Sequence, residues 1–92
     1  MATLDELKFT ALHDAGYTSG SLNEREHAWL VAESGSSTTD LNQLWIDLLV
    51  AKGYTSGSVN ERQIQMWSSQ GFTGSWNEMA IGFWAAGGTL PA

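Results

Sequence analysis

The sequence predicts an all-α fold: five short helices in tandem helix–loop repeats of about 18 residues, packed as one compact bundle. Three observations predict it. Glycines keep one beat: Gly16, Gly35, Gly53 and Gly71 fall 19, 18 and 18 residues apart, and Gly87 follows 16 later. On the same beat a Thr, Ser or Asp precedes a Glu or Gln by three residues, which is the signature of a helix start. Between start and glycine, apolar residues recur at helical spacing. The whole chain, 1–92, reads as a single helical repeat domain with units of about 3–20, 21–39, 40–57, 58–74 and 75–92.

The first helix, about 4–15, opens on Thr3 with Glu6 three residues on, and Gly16 and Tyr17 end it. Thr3 can accept the Glu6 amide while the Glu6 carboxylate reaches back. Gly16 takes the left-handed position just past the helix, and Tyr17 can fold back on the last turn. The second helix, about 22–34, runs from Ser21 and Glu24 to Gly35. The third, about 41–52, has Asp40 and Gln43 at its start and Gly53-Tyr54 at its stop. The fourth, about 59–70, lies between Ser58/Glu61 and Gly71-Phe72, and the fifth, about 76–86, between Ser75/Glu78 and Gly87. Gly82 sits inside the fifth helix, at about 1 kcal/mol below Ala in propensity. With Ala85 and Ala86 near it, Gly82 points to a close helix approach. The tail Gly87–Ala92 cannot extend the helix and is either frayed or a strap on a neighbour.

Counting each helix from its first residue, position one holds Leu4, Leu22, Leu41, Val59 and Trp76. Position eight holds Ala11, Trp29, Leu48, Met66 and Phe83, and position nine Leu12, Leu30, Leu49, Trp67 and Trp84. Position six holds Phe9, His27, Ile46, Ile64 and Ile81. It lies about 140° from position one; with the mixed position four (Leu7, Arg25, Leu44, Arg62 and Met79) as the other edge, about 60° the opposite way, the apolar arc spans roughly 200°. A surface helix needs little more than about 100°. The helices should therefore bury two sides, against each other or against other chains. Trp45 breaks its column, position five, which otherwise holds Lys8, Glu26, Gln63 and Ala80. A Trp in a mostly polar column is a candidate for contact with another chain, or else lies over a neighbouring helix of its own.

Composition narrows the function. Four Lys and Arg against ten Asp and Glu give a net charge of −6, which argues against a phosphate-backbone binder. Asp5, Glu6, Glu24, Asp40, Glu61 and Glu78, six of the ten acids, lie at helix starts, where they offset the helix dipole. An acidic DNA-mimicking surface is thus the weaker explanation. Cys is absent, which excludes disulfides and thiolate zinc sites. The first residues carry no basic and apolar leader, and no apolar run approaches a membrane span. A soluble protein with no membrane partner is expected. Charged residues make up 15%, against about 25% in ordinary soluble domains, which hints at a partner.

Chemistry is hard to find. His13 and His27 belong to no metal-type pattern; His27 fills a slot held by Phe or Ile in other units and reads as a packed side chain. Gly16-x-x-x-Gly20-Ser21 lacks the Lys of a phosphate loop and recurs as a helix connector. Asp5/Glu6 and Glu24/Glu26 lie at helix starts, where nothing raises a pKa for acid–base work. No catalytic residue, cofactor site or metal site is expected, and no enzyme activity.

The blocks Gly16-Tyr17-Thr18-Ser19-Gly20-Ser21-Leu22-Asn23-Glu24 and Gly53-Tyr54-Thr55-Ser56-Gly57-Ser58-Val59-Asn60-Glu61 repeat, with a shortened copy over Gly71–Glu78. This unit resembles the short tandem helical repeats of small tailed-bacteriophage virion proteins, in which similar stretches recur every 17 to 19 residues; the stretch Gly35–Gln43 departs from the pattern. The resemblance implies a multi-copy, non-enzymatic structural protein located in the virion. The resemblance does not say whether the protein decorates the capsid, joins the tail or links a fibre; the wide apolar arc and the acidic charge add the expectation of docking on capsid or tail components or on copies of itself, without nucleic acid. The residues expected to carry docking are Trp45, Phe9, Ile46, Ile64 and Ile81, with the loop aromatics Tyr17, Tyr54 and Phe72, which can equally serve as helix caps. The rival expectation is a monomeric binding module: a carbohydrate or cell-wall binder using exposed Trp and Tyr faces, or an inhibitor of a host protein.

Overall fold

All five expected helices form in the computed structural model, which describes residues 3–91; the expected domain limits at 1 and 92 lie outside them. The helices are α1 (Leu4–Asp14), α2 (Leu22–Ser34), α3 (Leu41–Ala51), α4 (Val59–Ser69) and α5 (Trp76–Ala85). Each begins on the expected residue. Four end one residue earlier than expected, because Ala15, Lys52, Gln70 and Ala86 are caps with ψ near zero rather than helical residues.

The starts are reciprocal. Ser21 N–H donates to Glu24 Oε1 at 3.0 Å, and Glu24 N–H donates to Ser21 Oγ at 3.2 Å. Thr3/Glu6, Ser58/Glu61 and Ser75/Glu78 repeat the arrangement. At α3 the box is one-sided: Asp40 Oδ1 accepts from Asn42 N–H at 3.0 Å and Gln43 N–H at 3.4 Å. These bonds hold the carboxyls of Glu24, Glu61 and Glu78 below the usual carboxylate range, the serine backbone N–H first and the serine side chain second. A carboxyl that ionises more readily when folded stabilises the fold above the unfolded pKa, about 4.3 for Glu. That stabilisation is lost as pH falls through the lower folded value. Replacing Glu24, Glu61 and Glu78 together by Gln keeps the cap acceptors but removes the titration. The melting temperature of the triple variant should fall less than wild type between about pH 5 and pH 3.

The stops follow one pattern four times. Tyr17 N–H donates to Leu12 O at 2.9 Å and Gly16 N–H to His13 O at 3.0 Å, the paired bonds of a Schellman ending. Gly53-Tyr54, Gly71-Phe72 and Gly87-Gly88 do the same. Gly16 has φ +101°, a conformation that a side chain would strain. The second junction differs: Gly35 itself caps α2, bonding to Val31 O at 3.1 Å, and His27 Nε2 sits 3.1 Å from Thr38 O in the following loop.

Each helix packs on its chain neighbours, and α5 packs back on α1; among the described residues no other pair of helix backbones comes within 8 Å at Cα, although the Trp29 and Trp84 rings of α2 and α5 touch across the centre. The five therefore close a ring, a disc of 34 × 33 × 21 Å. Positions eight and nine are buried in every helix, from Ala11 and Leu12 to Phe83 and Trp84. Closure answers the question of the wide apolar arc. In a ring every helix has two neighbours, so both flanks are covered within one chain. The position-six residues His27, Ile46, Ile64 and Ile81 are accordingly half-buried, and Phe9 is exposed.

Gly82 does admit a close approach, but of a loop ring rather than a helix. A Cβ there would stand 2.8 Å from Cδ1 of Phe72. Gly82→Ala should therefore lower stability by about 1 kcal/mol, the overpacking exceeding the propensity gain. In a Phe72→Ala background the same change should raise stability by up to about 1 kcal/mol. Urea titrations of the four proteins check the reversal of sign. The tail docks on its own chain: Gln70 Nε2 donates to Thr89 O at 2.7 Å, and Leu90 packs against the core. No helix among the described residues is long and apolar enough to cross a membrane.

Candidate functional site: a cavity at the centre of the ring

The N-terminal halves of all five helices converge on a cavity of about 190 Å³. Position one supplies Leu4, Leu41, Val59 and Trp76 to its wall, and position two Asn23, Asn42 and Asn60. Position five supplies Lys8, Glu26, Trp45 and Gln63, and position nine Trp67 and Trp84. Recurrence makes this possible: similar units in a ring bring the same helix position to the centre again and again, four times each for positions one and five and three times for position two. The three asparagines are exposed while lining the cavity, so its mouth opens on the side of the helix starts.

A polar network occupies the inner wall. Lys8 Nζ meets Glu26 Oε1 at 2.9 Å, and Trp45 Nε1 donates to Glu26 Oε2 at 2.8 Å. Opposite, Trp76 Nε1 donates to Gln63 Oε1 at 2.8 Å. Glu26 and Gln63 are only 3% and 5% exposed, so these partners replace water that burial removed. The Trp67 indole N–H is buried and has no protein partner among the described residues. Behind the network runs a continuous chain of rings: Trp45, Trp29, Trp84, Phe83, Trp67 and Trp76, with successive centroids 5.1–5.7 Å apart. Such pairs add about 0.5–1.5 kcal/mol each beyond the area they bury.

No protein-family model, no curated protein and no solved structure matches this chain. Among the described residues no three His, Cys, Asp or Glu side chains stand together as metal ligands.

The structure corrects the leading docking residue. Trp45 is 4% exposed, packs with its ring tilted against that of Trp29 and bonds to Glu26, so it lies within the chain's own core and presents no outer face. Position five sits about 40° from position one, between positions eight and nine on the helix wheel. It is the centre of the buried arc, not its polar edge. Lys8, Glu26 and Gln63 were missed for the same reason: their polarity made an inward column look outward. The signal was the angle, with Trp45 and Ala80 as the two members that match it.

The other expected residues are not brought together. Phe9 is 42% exposed, with the Arg25 guanidinium 4.2 Å from its ring centre. Ile46, Ile64 and Ile81 are half-buried on three different helices. Tyr17, Tyr54 and Phe72 pack against the core from three loops, as caps; Tyr54 also bonds through its hydroxyl to Ser69 Oγ at 2.8 Å. The repeated asparagine is the functional candidate that the repeat itself displays. Asn23, Asn42, Asn60 and Asn77 share position two, and none of their side chains bonds to protein among the described residues.

Proposed function

We propose that the chain is a non-enzymatic structural protein of a tailed-phage virion, present in several copies and docking on capsid or tail components. The observation that carries this reading is the tandem unit, repeated as in small virion proteins, with only 15% charged residues. Docking falls to the outer rim, since the indoles serve the chain's own core. The exposed surface carries the uncharged connectors Thr18-Ser19-Gly20, Thr55-Ser56-Gly57 and Thr73-Gly74, and the exposed Phe9 and Val50. Burying uncharged connectors costs less desolvation than burying charges, and charged residues are depleted at the centres of interfaces. Mass spectrometry of purified virions of the encoding phage should find the chain in several copies per particle. Its absence from the particle overturns the reading.

A monomeric binding module is the second reading, and ring closure favours it: the core is complete without a partner. Sedimentation of the isolated chain with and without virions separates the two. Binding by flat, exposed tryptophan faces does not fit, because Trp29, Trp45, Trp67 and Trp84 are each at most 5% exposed.

A further inference from the structure

We propose that the central cavity binds one uncharged, hydroxyl-bearing six-membered ring, a single pyranose. The site does not depend on the rim, and a virion protein and a free module would carry it alike.

Size sets the first bound. An apolar cavity of about 150 Å³ holds a benzene ring, whereas pockets for drug-sized ligands begin near ~300 Å³. At about 190 Å³ this cavity suits one substituted six-membered ring. Charge sets the second. Lys8 and Glu26 neutralise each other at 2.9 Å, and Glu26 is already committed to the Trp45 N–H. A ligand with net charge would have to draw one partner from the other. Hydrogen bonding sets the third. Gln63 spends Oε1 on Trp76 and keeps its amide N–H groups for a ligand, whereas the Trp67 N–H, unpartnered among the described residues, has no surface open to the cavity. The carboxamides of Asn42 and Asn60 at the mouth are free to donate and accept together, as hydroxyls do. The indoles supply the apolar wall that the C–H face of a sugar needs.

The repeat adds an independent reason. Asn holds position two in four units. There Asp or Glu would serve the helix dipole better, and these side chains make no structural bond. Asn23, Asn42 and Asn60 line the cavity together, and that placement gives these three one role; Asn77 lies outside the lining.

The test is a titration of the ¹⁵N-labelled full chain, read at the indole N–H resonances, with D-glucose, N-acetyl-D-glucosamine, glucosamine and glycerol. The expected result is a saturable shift of the Trp67 and Trp76 resonances with glucose or N-acetylglucosamine, and none with glycerol. Asn60→Ala should weaken that binding about fivefold, the worth of one neutral hydrogen bond. Gln63→Leu should weaken it further, with folding checked by circular dichroism. The proposal is overturned if neither neutral sugar gives a saturable indole shift. It is equally overturned if charged glucosamine binds as well as its acetylated form, or if the Asn42→Ala/Asn60→Ala variant binds unchanged.

Discussion

Trp45→Ala should lower the stability of the isolated chain by about 3–5 kcal/mol, the usual range for deleting a buried tryptophan. Three losses add together. The indole leaves a hole beside Trp29, whose ring centre is 5.6 Å away. It breaks the chain of rings at one end. It also leaves Glu26 Oε2 without the donor that stood 2.8 Å from it, in a place almost closed to water. Domains of this size are commonly stable by about 5–15 kcal/mol, so the variant should be largely unfolded at moderate temperature. Urea titration followed by circular dichroism measures it. A variant with unchanged midpoint and helicity, but weaker self-association, would put Trp45 at an interface after all.

The second large effect belongs to the ion pair, and it should be lopsided. Lys8→Met leaves the Glu26 carboxylate, 5% exposed at the side chain, with one indole N–H for company. Removing one partner of a buried pair costs about 3–5 kcal/mol when the other stays enclosed. Glu26→Leu should cost less, about 1–3 kcal/mol, because Lys8 is 18% exposed and can carry its ammonium to water. Combining Lys8→Met with Glu26→Gln should restore most of the loss, since a neutral amide can still accept from Trp45. Equal costs for the two single variants would mean that the pair is hydrated and of little structural weight.

The helices were legible because their limits are written in local chemistry. Ser21, Ser58 and Ser75 with their glutamates act over three residues, and Gly16 or Gly53 needs nothing beyond its own backbone. The ring was not legible, because contact between α1 and α5 joins segments that share no local signal. The cavity was half legible. The asparagine beat was visible, but its meaning depends on five helix starts meeting at one point. Lys8 and Glu26 illustrate the harder case: a pair of opposite charges looks solvated until its two members are found 2.9 Å apart and enclosed. Gly88 was hidden likewise; in the Schellman ending of α5 its Cβ would stand 2.8 Å from the Trp84 ring four residues back.

A circle of helices also changes how the molecule comes apart. An open array of repeats can fray from either extremity and lose stability one unit at a time. Here the α1–α5 seam leaves no outermost member, so excising any single repeat bares two greasy flanks at once. Melting should then be a single cooperative event, and a permutant cut in the Thr55–Gly57 connector, with the old extremities joined, should keep the same circle.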